Sequence, residues 1–154
     1  MTKHLLIVAH APSPNTQRLR DAIVAGATHA DIAGVRVDTR SPFDTGPDVV
    51  RTADGIILMT TENLAYMSGA MKDFFDRTYY PVLEEKQGLP CAIVIRAGHD
   101  GTGTKRALDT ILTGLRWKQV TDPLICKGDW DDRFVAQAEE VGMTLAAGLE
   151  AGVF

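Results

Sequence analysis

The sequence predicts an α/β protein: a doubly wound, five-stranded parallel sheet in the order 2-1-3-4-5, with helices on both faces and a short second crossover helix. Two observations carry this. Short apolar runs alternate with segments of helical periodicity along the whole chain, the pattern of repeated β-α-β crossovers. Three of the runs, LLIVA at 5–9, GIILMT at 55–60 and CAIVIR at 91–96, are nearly continuous in apolar residues. Strands buried on both faces need that composition. With right-handed crossovers, five strands fall naturally into the 2-1-3-4-5 order, which places ligands outside the carboxyl ends of the strands.

The elements follow in order. After the strand at 5–9, a helix at about 15–30 carries Leu19, Ala22, Ile23, Gly26, Ala27 and Ala30 on one face. VRVDT at 35–39 is the second strand. The next crossover holds Ser41-Pro42 and Gly46-Pro47 and few apolar residues, leaving room for a turn or two of helix at about 47–52. The third strand, 55–60, leads to a helix at about 68–80, with Ser68 as N-cap and Ala70, Met71, Phe74, Phe75 and Thr78 facing inward. The fourth strand, 91–96, precedes a helix at about 103–116 with Ala107, Leu108, Ile111, Leu112 and Leu115 on its buried face. Trp117 is a packing residue before the fifth strand, about 119–126. The last helix, about 131–150, is entered through Asp131 and Asp132, acidic residues that suit a helix start.

The length of 154 residues fits one domain, and no repeat or linker interrupts it. A net charge of −4 argues against nucleic acid or an anionic membrane as partner, since both call for a basic face. No apolar run approaches the ~20 residues of a membrane span, and the first residues carry no leader pattern; a cytoplasmic protein is the expectation. The two cysteines, Cys91 and Cys126, sit in strand-like runs and read as buried, reduced thiols. They fall at opposite ends of neighbouring strands, too far apart for a disulfide.

Three loops lie at the carboxyl edge. His10-Ala11-Pro12-Ser13-Pro14-Asn15-Thr16 runs straight into a helix. Its hydroxyls, its amide and the free N–H groups of the helix start make a phosphate site without a lysine; plain N-capping by Ser13 or Asn15 accounts for the same residues equally well. Ala97-Gly98-His99-Asp100-Gly101-Thr102-Gly103-Thr104 has glycines that let backbone approach a flat ligand, or that simply make a turn. Gly103-Thr104-Lys105 has its Lys and Thr in the wrong order for a P-loop, so an NTPase is rejected. No G-x-G-x-x-G follows the first strand. A phosphoacceptor receiver domain needs an acidic pair after strand 1 and an Asp after strand 3; Ala9-His10 and Thr60-Thr61 stand there instead. His10, His99, Glu62 and Asp100 lie at this edge without the spacing of a metal site, so no metal is expected.

The middle loop and its helix are the most specific segment. Met67-Ser68-Gly69-Ala70-Met71-Lys72, with Phe75-Asp76-Arg77 after it, resembles the NAD(P)H-dependent FMN reductase and quinone reductase branch of the flavodoxin-like superfamily. The opening loop and the glycine loop fit that branch in order and spacing. The resemblance implies a flavodoxin-like fold that binds FMN. The phosphate would sit on Ser13, Asn15, Thr16 and the first helix, with His10 a further cofactor-binding residue at that edge. The ring would lie between Thr61, Glu62, Asn63, Leu64, Ala65, Tyr66 and Met67 on one side and Ala97, Gly98, His99, Gly101 and Gly103 on the other. Tyr66 packs on the ring or serves the core or an interface; His99 is a solvated loop residue or a ring-edge donor. Thr61 stands where the branch has Pro, Pro14 replaces a phosphate-loop Gly, and Glu62 brings a carboxylate near the ring.

The resemblance implies an FMN-dependent NAD(P)H oxidoreductase that reduces quinones or similar small acceptors by ping-pong hydride transfer. NAD(P)H would be a transient donor stacked on the flavin, which accounts for the missing nucleotide fingerprint. No side chain is singled out as catalytic, since the flavin carries the chemistry. The alternative is a flavodoxin-type electron carrier; a net charge of −4 is weak for the acidic docking face such carriers use. A homodimer or larger assembly is expected, because the thin 40–54 crossover covers one edge poorly and Tyr79-Tyr80-Pro81-Val82-Leu83 offers aromatic and apolar surface.

Overall fold

A computed structural model describes residues 1–154. The elements are β1 (Lys3–Ala9), α1 (Pro14–Ala27), β2 (Val35–Arg40), a 3-10 turn (Pro42–Asp44), α2 (Pro47–Thr52), β3 (Gly55–Asn63), β4 (Tyr66–Met67), α3 (Gly69–Val82), β5 (Pro90–Ala97), α4 (Thr102–Leu115), β6 (Lys118–Gln119), β7 (Leu124–Lys127) and α5 (Arg133–Ala151). The strands run β2-β1-β3-β5, with β6 and β7 both on the far side of β5. Every pairing is parallel except β3 with β4. This is the flavodoxin-like order the sequence predicts, with helices on both faces.

The sheet departs from five strands in two places. The expected fifth strand is broken: Gln119 pairs with Cys91 and Leu124 with Val94, so the edge spends more residues than β5 over the same span. Pro123 has no N–H to donate and stands in the interruption, which is tolerable only on an edge. At the carboxyl end of β3 the chain does not enter a loose loop. It turns back as a hairpin, pairing Glu62 with Met67 and Asn63 with Tyr66.

Strand alternation builds two cores. Leu5, Ile7, Ala9, Ile57, Met59, Ala92 and Val94 face α1 and α5. Leu6, Val8, Ile56, Leu58, Cys91, Ile93 and Ile95 face α3 and α4. α1 and α5 pack backbone to backbone: a Cβ on Gly26 would collide with the Glu139 carbonyl, and one on Gly142 with that of Ile23. α1 stops at Ala27, short of Ala30, where the Thr28 hydroxyl takes the Val24 carbonyl at 2.7 Å. Cys91 and Cys126 are buried, free and in opposite cores. No helix is long and apolar enough to cross a membrane.

The Met67–Arg77 motif shapes the backbone. Ser68 caps α3 by accepting from the Met71 N–H at 3.1 Å, and the Thr60 hydroxyl accepts from the Ser68 N–H at 3.0 Å. Arg77 reaches off α3 to the 3-10 turn, donating to the Pro42 carbonyl at 2.9 Å and the Thr45 carbonyl at 2.8 Å while pairing with Asp73. The motif therefore fixes how β3 enters α3 and where the turn after β2 stands.

Candidate functional site

The ends of β1, β3 and β5 bring the three loops to one edge. In the first loop, Ser13 and Thr16 close a reciprocal cap: Thr16 N–H donates to Ser13 Oγ at 3.2 Å, and Ser13 N–H to Thr16 Oγ1 at 2.9 Å. Thr16 is buried, with its hydroxyl bonded to the Ser13 carbonyl at 3.0 Å. It shapes the loop from beneath. Pro12 and Pro14 lack N–H groups, His10 N–H is spent on the Met59 carbonyl, and those of Ala11 and Asn15 have no partner in the chain. Two free N–H groups, the Asn15 amide and the start of a 14-residue helix suit a phosphate. His10, half-buried beside them, has its pKa lowered by desolvation, which disfavours the charged imidazolium.

The second and third loops are joined to each other. Both oxygens of the Glu62 carboxylate accept backbone N–H groups, from His99 and from Gly101, each at 2.8 Å. The Thr104 hydroxyl donates to the Tyr66 carbonyl at 2.8 Å. Ala65 lies directly on Gly103, where a Cβ would strike its backbone. The two loops on which the sequence places the ring are therefore in direct contact with each other. They form one continuous platform. Thr61 and Asn63 bond each other through Oγ1 and Oδ1 at 2.7 Å. Met67 is buried under the hairpin, whereas Leu64 is fully exposed at its tip and Tyr66 is partly exposed. The tip residues, Leu64 and Ala65, have φ of 52° and 62°. This left-handed pair is what a two-residue hairpin turn requires, here made without glycine. In the third loop, Ala97 is buried at the strand end and Gly98 is open. Asp100 accepts from the Thr102 N–H and hydroxyl, which hold its carboxyl below the ordinary range.

The same edge holds residues that the sequence reading passed over. A cavity of about 420 Å³ lies between β1, α1 and the end of β2, lined by His10, Arg20, Thr39, Arg40, Ser41 and Phe43 among others. On the other side of α1, Arg96 at the end of β5 donates to the carbonyls of Ala97 and Cys126 and lies 5.8 Å from the Trp130 ring centre and 5.4 Å from that of Phe134. Arg18 lies 5.1 Å from the same Trp130 ring and pairs with Asp132. The available signal was the arginine ending an otherwise apolar strand, and a tryptophan in the loop after the fifth strand. No group of three or more His, Cys, Asp or Glu side chains converges to hold a metal ion.

The arrangement offers an anion site at the start of α1 and a flat, largely backbone platform beside it. The family model for NADPH-dependent FMN reductase matches residues 41–131. No curated protein sequence matches significantly. Among solved structures, a flavodoxin from the domain Archaea superposes with a TM-score of 0.79 at 18% identity, covering 95% of this chain and 98% of that one. A flavodoxin, WrbA-like protein from Agrobacterium tumefaciens gives 0.76 at 16% identity, covering 95% and 96%. The two-electron reduced flavodoxin of Megasphaera elsdenii gives 0.73 at 16% identity, covering 93% and 98%. At these identities the likenesses establish the fold.

Proposed function

The chain belongs to the NADPH-dependent FMN reductase family, and from that premise we propose that it is an FMN-dependent NAD(P)H oxidoreductase acting on quinones or similar small acceptors. The observation that carries this is the platform of joined loops standing beside the free N–H groups of Ala11 and Asn15. These residues fit FMN: Ser13, Asn15 and the start of α1 would hold the phosphate, while residues 61–66 and 98–103 would support the ring. When bound, FMN supplies hydride and electron transfer.

The chain's own contribution is position. Glu62 holds the two halves of the platform in register. The Thr16–Ser13 cap presents the loop N–H groups outward. His10 would add a ring nitrogen able to hydrogen-bond at the edge of the first loop. The outer side of the platform faces solvent, so donor and acceptor would use it in turn. Exposed Leu64 and Tyr66 give that side an apolar border suited to a planar acceptor. A second copy of the chain would pack on the α3–α4 face, where Tyr80 stands exposed beside a pocket lined by Phe75, Tyr79 and Ile111.

The test is steady-state oxidation of NADH and NADPH by the FMN-loaded protein with a benzoquinone acceptor. Turnover well above that of free FMN at the same concentration is expected. Turnover no faster than free FMN would leave an electron carrier of the flavodoxin type in its place.

A further inference from the structure

Of the arginines in this chain, only Arg36, Arg96 and Arg106 form no ion pair, and of these only Arg96 is withdrawn from solvent. A charge taken out of water is normally paired. Arg96 spends Nη1 on the carbonyls of Ala97 and Cys126, at 2.8 and 2.9 Å, and its Nε and Nη2 bond nothing in the chain. The rings of Phe134 and Trp130, 5.4 and 5.8 Å away, attract the guanidinium and fix its place, yet bring no negative charge. Two carboxylates stand at the start of α5, and both are taken. Asp132 pairs with Arg18 and accepts the Trp130 indole N–H, and Asp131 pairs with Arg133. The fold thus builds a fixed, half-buried cation at the carboxyl end of β5 and gives it no counter-charge.

The register sets this cation against the platform. The Ala97 carbonyl it holds belongs to the first residue of the 97–103 loop, the half of the platform that Glu62 braces. Thr61, in the other half, is the β3 partner of Arg96. Met59 and Val94 face α1 and α5, so Thr61 and Arg96, each two residues further on, project from that same side. The start of α1 follows β1, which lies two strands from β5, about 10 Å at ~4.8 Å per strand. The register therefore favours the flavin ring over the flavin phosphate as the partner of this charge.

We infer that Arg96 is the fixed cation that stabilises the anionic reduced form of FMN and so raises the potential of the bound flavin. The inference rests on the FMN reading and deepens it, naming a residue that sets how readily the site accepts electrons. A hydride carries two electrons and one proton, so its arrival leaves the ring with one negative charge that the oxidised ring lacks. A guanidinium does not give up its proton. Held at the platform, it favours that charge and disfavours uptake of a second proton, and charge near the ring is one of the means by which a protein tunes a flavin.

The test is spectroelectrochemical titration across neutral pH of the FMN-loaded full chain, wild type, R96Q and R96K. The wild type is expected to take up one proton per two electrons. R96Q is expected to bind oxidised FMN as the wild type does, to favour the reduced form about tenfold less, a two-electron midpoint ~30 mV lower, and to move towards two protons per two electrons. R96K keeps the charge and should restore most of the midpoint. An unchanged midpoint in folded R96Q overturns the inference, and so does R96K that behaves as R96Q does. Weaker FMN binding in R96Q at an unchanged midpoint, with riboflavin binding unaffected, overturns it by assigning Arg96 to the phosphate. If R96Q does not fold, the wild type decides: two protons per two electrons at neutral pH overturns the inference. Because the electrode supplies the electrons, the result does not depend on a pyridine nucleotide. The predicted midpoints alongside no nucleotide oxidation would sink the reductase reading alone, whereas a chain that takes up no FMN would sink both.

Discussion

Glu62 is the residue whose role changes most between sequence and structure. Read along the chain, it is a carboxylate beside a flavin, opposing the charge of the reduced ring. In the fold it is a brace, both oxygens committed to backbone N–H groups of the next loop. A carboxylate accepts on both oxygens, whereas an amide must present its NH₂ to one of those donors. Glu62→Gln should therefore lower stability by about 1–3 kcal/mol, the cost of orphaning one such donor. Chemical denaturation measures it, and wild-type stability in the variant would contradict the brace. The cysteines give a second check at this scale. Burial pushes the Cys91 thiol up to about 12 and the Cys126 thiol up to about 11. Neither should react with a thiol reagent at pH 8 in the folded protein, because the thiolate is the reacting form. Both should react after unfolding without reductant; a single reactive thiol, or none, would mean that the reduced pair is misread.

Among the elements, the hairpin at the end of β3 was hidden from sequence. Leu64-Ala65 is not a turn pair that propensity would choose, since the left-handed region disfavours any residue with a Cβ. The turn persists because its flanks are held: Glu62 is braced, Ala65 rests on Gly103, and the Tyr66 carbonyl is tied to Thr104. That predicts a stabilising substitution. Ala65→Gly should relieve the φ of 62° and raise stability by about 1 kcal/mol. A shift of the urea midpoint to higher concentration supports this, and a shift to lower concentration contradicts it. The break between β6 and β7 did carry a local signal, Asp122-Pro123, a turn pair inside what otherwise reads as one strand-like run. α2 at Pro47–Thr52 stands where Gly46-Pro47 placed it, since a glycine followed by proline marks a helix start through local chemistry alone. Local signals were legible; those set by a neighbouring loop were not.

For the whole molecule, strand order and the two-sided core followed from apolar runs and alternation. The edge where the loops meet followed from the order. What the pattern could not supply was the side-chain traffic across that edge: the Arg77 clamp, the cavity at Arg40 and the Arg96–Trp130 cluster all join residues distant in sequence. Oligomeric state is also decided at this scale. Sedimentation at tens of micromolar should find a dimer, with Tyr80→Asp shifting it towards monomer; a wild-type monomer would remove the α3–α4 interface. The central claim is that this fold holds a flavin that a pyridine nucleotide can reduce. Its most direct test is the visible spectrum of the FMN-loaded protein, recorded anaerobically as NADPH and then NADH are added. Loss of the blue absorption within minutes is expected with at least one of the two; a spectrum that neither nucleotide changes, but that dithionite bleaches, would contradict the claim.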